Sequence, residues 1–217
     1  TNVTISKCRN NGSVNSKSFA GGFIGSVSQS VGMRLVLSES INHGVTSGPN
    51  TGGFIGYLFD FGFISFFNCQ NEETVFRVCT SYSHGGFVGL VQNQKNFNMR
   101  PSLIIKNCSS HQNIQIDNNS RRFGGIIGTV SNGESMDLTI SDSYTSGFIS
   151  TFSGSSQSFI GGLIGSVTYC TDMTLLVKHS INNMSFSSND KSNVGGIIGS
   201  CTNGISDVIS LAFVNTT

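Results

Sequence analysis

A phrase of three glycines around a pair of apolar residues recurs six times in this chain. It reads FAGGFIGSV at 19–27, NTGGFIGYL at 50–58, SHGGFVGLV at 83–91, RFGGIIGTV at 122–130, FIGGLIGSV at 159–167 and NVGGIIGSC at 193–201. The repeat glycines are Gly21, Gly22 and Gly25; Gly52, Gly53 and Gly56; Gly85, Gly86 and Gly89; Gly124, Gly125 and Gly128; Gly161, Gly162 and Gly165; and Gly195, Gly196 and Gly199. The pairs start at 21, 52, 85, 124, 161 and 195, giving intervals of 31, 33, 39, 37 and 34. A period in this range is the mark of a solenoid, propeller or repeat array, in which each unit buries its apolar face only against its neighbours.

A second phrase lies between the pairs, as in VTISKCRNNGSV from residue 3 and LTISDSYTSGFI from residue 138. Aligning its six copies gives an apolar column of Ile5, Leu37, Phe66, Ile105, Ile140 and Val177. Three residues on comes a small column of Cys8, Ser40, Cys69, Cys108, Ser143 and Ser180. Six further on lies a mostly apolar column of Val14, Thr46, Val75, Ile114, Ile149 and Phe186. The segments are short, β-branched and aromatic, and glycines interrupt them, so they read as strands rather than helices. Strands of four or five residues gain stability by stacking at about 4.8 Å. The fold expected is all-β, a parallel β-helix (β-solenoid) of about six coils, with residues 1–217 forming a single array excerpted from a longer repeat protein. A β-propeller has blades of similar length but usually carries Trp signatures, and the chain has no Trp.

The segment 138–167, LTISDSYTSGFISTFSGSSQSFIGGLIGSV, resembles the GLUG-motif repeat, in which a Ser-Tyr step and a turn glycine lead to Gly-Gly-Leu-Val-Gly. All six phrases fit the pattern, although the Ser-Tyr step itself stands only at Ser143-Tyr144. The resemblance implies a β-helical array from secreted or cell-surface proteins, often adhesin-like, and no catalytic residues.

Composition narrows the function. Charged residues are 11% of the 217, against about 25% in ordinary soluble domains, and the net charge is +1. Such a chain offers no footprint for nucleic acid, and no apolar run reaches the roughly 18 residues of a transmembrane segment. Six cysteines show no CxxC pair and no zinc spacing, so no metal or cofactor is expected.

The residues preceding the small column, Lys7, Glu39, Asn68, Asn107, Asp142 and His179, read as a variable solvent face. Stacking sets Lys7 beside Glu39 and Asp142 beside His179. The second pair is two-thirds of a hydrolase triad, but is read here as a cross-strand ion pair. Cys69 and Cys108 share a column on adjacent coils and are the candidate disulfide, although a small residue there satisfies the coil equally well. Candidate N-glycosylation sites are Asn2, Asn11, Asn107, Asn118, Asn183 and Asn215, of which Asn11, Asn183 and Asn215 are placed on a turn. The stretch YLFDFGFISFF at 57–67 reads mainly as core, with a sugar-stacking ridge as the other reading.

Within the glycine phrase both side-chain parities are apolar. Either the third glycine bends the chain and turns both columns inward, or one column is an exposed stripe that a partner covers. Low charge and unprotected ladder edges favour continuation of the stack. The function expected is a non-enzymatic extracellular structural segment, a filament, surface coat or stalk whose partners are copies of itself or adjoining repeats. A binding module for surface glycans is the second expectation, and a polysaccharide-cleaving enzyme the third.

Overall fold

The computed structural model describes residues 1–79, 82–94, 100–116, 122–151, 158–187, 192–202 and 209–214. Among these there is no helix, hence none long and apolar enough to cross a membrane. Every strand pairing is parallel and joins one repeat to the next, which makes the protein a β-solenoid and excludes antiparallel propeller blades.

Three sheets run along the stack. The third sheet consists of the six short strands that lead into the glycine pairs, Phe19–Gly21, Asn50–Gly52, Ser83–Gly85, Arg122–Gly124, Phe159–Gly161 and Asn193–Gly195, with all six first glycines in register. The broad sheet has 11 strands in two side-by-side columns. Two of its members, Ile24–Ser38 and Ile55–Phe67, are long enough to span both columns. The second sheet holds Arg9–Asn10, Ile41–Asn42, Gln70–Cys79, Ser109–Ile116, Tyr144–Thr151 and Ile181–Ser187.

The predicted apolar column is a stack in register from Ile5 to Val177. Both parities of the glycine phrase are also interior: Phe54, Ile55, Phe87, Val88, Ile126, Ile127, Leu163 and Ile164 are all completely buried. The bend responsible lies two to three residues before Gly25. Gly22 and Phe23 form the corner between the strand ending at Gly21 and the strand starting at Ile24. Neighbouring residues on either side of a corner project into the same interior. Phe23, Phe54 and Phe87 stack as parallel rings with centroids 4.8 and 4.9 Å apart, and Phe66 meets Phe54 edge-on at 5.7 Å.

Each glycine of the phrase answers to a different neighbour. A Cβ at Gly21 would strike the carbonyl of Ile24 within its own corner. At Gly53 it would strike the Asn71 side chain, which reaches across from the second sheet. At Gly56 it would lie 2.6 Å from Gly25 O and 2.7 Å from Ala20 O, because the broad sheet there presses against main chain of the preceding coil.

One column is corrected. Ile114, Ile149 and Phe186 stack as expected. A register shift between Glu73 and Arg77, however, sets Arg77 rather than Val75 opposite Ile114.

Candidate functional site

The turn from the broad sheet into the second sheet is built identically in every coil. Lys7, Glu39, Asn68, Asn107, Asp142 and His179, read from sequence as a plain solvent face, all have φ between 48° and 54°. This is the left-handed region, which Asn, Asp and His enter more readily than other side-chain-bearing residues. The next residue explains the small column. Ser40, Ser143 and Ser180 each donate their hydroxyl to the carbonyl two residues back, at 2.8 to 3.0 Å, and Cys8, Cys69 and Cys108 do the same through sulfur at 3.2 to 3.4 Å. The three serine hydroxyls also accept a backbone N–H from the coil before them: Cys8 N donates to Ser40 Oγ (3.1 Å), Cys108 N to Ser143 Oγ (3.3 Å) and Ser143 N to Ser180 Oγ (3.3 Å). A side chain with no hydroxyl or thiol on its Cβ makes neither bond in this way.

Side chains on the left-handed corners pair between coils. Lys7 meets Glu39 at 3.8 Å, Asn107 Nδ2 donates to Asn68 Oδ1 at 2.7 Å, and Asp142 meets His179 at 3.4 Å. Both ion pairs sit as the stacking predicts. Ser180, adjacent to His179, spends its hydroxyl on Lys178 O, so no triad is assembled there.

Cys69 and Cys108 do stand on adjacent rungs, with Ser109 N donating to Cys69 O at 3.0 Å, but as free thiols rather than a disulfide. Each sulfur turns instead toward the carbonyl of its own corner. The two thiols also share a hydrogen bond, which holds Cys69 below the ordinary thiol range, while burial pushes Cys108 up.

Two residues past the small column is a ladder that sequence reading missed: Asn10, Asn42, Asn71, Ser110, Thr145 and Asn182. Asn10 Nδ2 donates to Asn42 Oδ1 and Asn42 Nδ2 to Asn71 Oδ1, both at 2.8 Å, and Thr145 Oγ1 donates to Asn182 Oδ1 at 3.0 Å. Its signal was an unbroken column of small hydrogen-bonding residues at fixed spacing. Beside it lies a buried polar cluster. His84 Nδ1 is 2.6 Å from Thr51 Oγ1, and its Nε2 is 3.1 Å from Gln112 Nε2 and 3.6 Å from Glu73 Oε2. Burial pushes the His84 pKa down to about 4 despite the nearby carboxylate, so the ring is neutral at pH 7. Hydroxyl, imidazole and carboxylate meet here as in a hydrolase. Thr51, His84 and Gln112 are nonetheless at most 1% exposed, and Glu73 is 4% exposed, so no substrate reaches them. In the later coils this compartment turns apolar, with Ile114, Phe123, Ile149, Ile160 and Met184 packed together.

The aromatic stretch divides by face. Phe61 and Phe66 are core, whereas Tyr57, Phe59, Phe63 and Phe67 line the outside, half-buried. Their ring faces are largely engaged: Tyr57 stacks on Phe19 at 4.4 Å and on Phe59 at 5.8 Å, and the Arg34 guanidinium lies 5.0 Å over Phe63. A sugar needs an open face to stack upon, and this ridge presents mainly edges.

Of the candidate glycan acceptors, Asn2, Asn11, Asn107 and Asn183 are exposed. Asn183 belongs to the strand Ile181–Ser187, not to a turn, and its Nδ2 donates to the Tyr144 hydroxyl at 3.3 Å. Asn118 and Asn215 lie outside the described residues. Among the described residues no three His, Cys, Asp or Glu converge as metal ligands. Arg100 binds Asp137 at 2.8 Å and Asp172 at 2.9 Å, tying three coils together at the surface.

The last feature is an edge. Of the strand Ile24–Ser38, only Arg34–Ser38 pairs with Asn2–Ser6 on the outer side. Among the described residues Ile24 to Ser30 pair with Ile55–Phe67 alone, and beside them opens a groove lined by Val3, Ile24, Val27, Met33 and Leu35 together with Ser26, Ser28 and Ser30. Compared with family models, curated proteins and solved structures, the chain matches none.

Proposed function

We propose that this chain is a non-enzymatic structural segment of an extracellular or cell-surface assembly, a GLUG-like β-solenoid that continues by stacking a further coil on its open edge. The observation that carries the reading is that edge. Main-chain groups of Ile24 to Ser30 face an apolar groove in register with a ladder that already repeats through the molecule. A strand carrying an aliphatic residue over Ile24 and glycine at the next position continues it, as Ile55-Gly56 does on the other side. Such a strand comes from adjoining repeats or from a second copy of the chain.

Three further observations support a scaffold role. The hydroxyl, imidazole and carboxylate cluster at His84 is sealed from solvent. The surface carboxylates of Glu39, Asp137 and Asp172 pair with Lys7 or Arg100, and those of Glu72 and Asp142 lie 3.0 and 3.4 Å from the rings of His43 and His179. Exposed Asn2, Asn11 and Asn183 in acceptor sequences suit a glycosylated exterior.

Light scattering across concentrations, with negative-stain images, tests the reading. Mass is expected to rise with concentration as rods one solenoid wide form, and Met33→Lys, which sets a charge in the groove, is expected to suppress it. A compact monomer at every concentration, or rods that Met33→Lys leaves unchanged, overturns stacking at this edge.

A further inference from the structure

We propose that Cys69 and Cys108 are a redox couple that closes into a disulfide between successive coils on reaction with a low-molecular-weight disulfide. Among the described cysteines they alone share a column on neighbouring rungs. Cys8 faces Ser40 in that column, while Cys201 stands in register with Val167 rather than with Cys170.

The backbone sets the distance. Gln70 and Ser109, the residues that follow them, are paired in the parallel ladder, and Ser109 N donates to Cys69 O at 3.0 Å. Rungs so paired are about 4.8 Å apart, inside the range of roughly 4.4–6.8 Å between Cα atoms that a disulfide spans. Little holds the sulfurs in their present rotamers. Their contacts to the corner carbonyls, at 3.4 and 3.2 Å, are weak beside those of the hydroxyls at 2.8 to 3.0 Å, and the hydrogen bond that the two thiols share already sets the sulfurs together. Cys108 is 2% exposed and forms part of the wall of a surface pocket lined also by Asn107, Ser109, Asp142 and Tyr144, so the reagent reaches its sulfur when that wall opens locally.

The chemistry closes without another reactant. Cys108, the thiol nearer the surface, attacks one sulfur of the small disulfide as its thiolate, a form that burial disfavours and that makes this the slow step, and the reagent's S–S bond breaks. The departing thiolate takes up the proton that Cys108 gave to solvent. The Cys69 thiolate then attacks the Cys108 sulfur of the mixed disulfide and expels the second small thiol, which takes up the Cys69 proton. Two protein thiols are oxidised and one small disulfide is reduced to two thiols. The product closes the chain from 69 to 108 and adds a covalent link between two coils otherwise held by hydrogen bonds and packing.

The test is equilibration of the full chain, reduced first, with oxidised glutathione, followed by peptide mapping and thermal unfolding. A bridge between the Cys69 and Cys108 peptides is expected, together with a raised unfolding temperature that dithiothreitol reverses. Cys69→Ser is expected to stop at a glutathione adduct on Cys108, and Cys108→Ser to give no bridge. Both variants retain the fold because Ser occupies this column at 40, 143 and 180. A persistent adduct on Cys108 in the unmutated chain, two thiols still free at equilibrium, or a bridged protein no more stable than the reduced one overturns the proposal.

Discussion

Substitution of His84 tests how the solenoid holds a polar group in its interior. In the folded protein the ring is buried, hydrogen-bonded at both nitrogens and held to a pKa of about 4. In the unfolded chain it titrates near 6.5. The unfolded state therefore takes up the proton first as pH falls. The stability this residue contributes is fully present above pH 6.5 and is lost progressively toward pH 4. A gap of about 2.5 units at about 1.4 kcal/mol each gives a loss of about 3 kcal/mol by pH 4. The described charged group facing the ring is Glu73, 3.6 Å from Nε2. Its attraction for an imidazolium sets the figure as an upper value. Urea unfolding at constant ionic strength between pH 7 and pH 4 measures the effect, with His84→Gln as the reference, since an amide retains hydrogen bonds to Thr51 and Gln112 without titrating. The unmutated protein should lose about 2–3 kcal/mol more than His84→Gln across this window. Parallel pH profiles for the two proteins would refute the argument that burial governs this histidine.

Three other substitutions follow from the packing. Gly56→Ala should destabilise by about 1–3 kcal/mol or more, because its Cβ would lie 2.6 to 2.8 Å from main chain of the preceding coil. Gly25→Ala, at the same place in the motif but with its nearest contact at 3.5 Å, should be close to neutral in the same thermal melts. Phe54→Ala, which removes the middle ring of the Phe23, Phe54 and Phe87 stack, should cost about 3–5 kcal/mol in urea unfolding. Ser110→Asn should stabilise by about 1 kcal/mol, since Asn71 Nδ2 and Ser110 Oγ have no hydrogen-bond partner among the described residues and an amide at 110 continues the asparagine ladder; an unchanged or lowered unfolding midpoint would count against it.

The architecture was legible because a solenoid writes its contacts into the chain at one period. Ile5, Leu37 and Phe66 fall in one column of the sequence and one stack of the core for the same reason: each touches only its counterparts one coil away. What a period does not reveal is where within the repeat the chain turns. Of the two readings open for the third glycine, a bend at Gly25 is not what the structure shows, since the chain turns at Gly22 and Phe23. Six glycines in a column report lack of room, but sterics from a corner and sterics from an opposing strand leave the same residue behind, and only the neighbours at Ala20 and Gly25 O distinguish them at Gly56. The left-handed corner was hidden differently. Asn68, Asn107 and Asp142 announce it, whereas Lys7 and Glu39 disguise it as ordinary surface.

The polar interior was least legible, and its physical cause bears on function. Asn42, Thr51, Glu73 and His84 have the residue types of an exterior, and a pattern of alternating polarity assigns them there. The three-sided coil gives each repeat a second inner wall, formed by the second and third sheets, where backbone crowding against Gly22 and Gly53 favours compact side chains that hydrogen-bond along the stack. A ladder of amides fixes register more strictly than packed aliphatics do, since a slip of one residue strands every donor at once. The first three coils carry amides in succession, whereas later ones carry Ser110, Thr145 and Asn182 beside the apolar Phe123, Ile160 and Met184. Register is thus most narrowly specified where Asn10, Asn42 and Asn71 follow one another without a break.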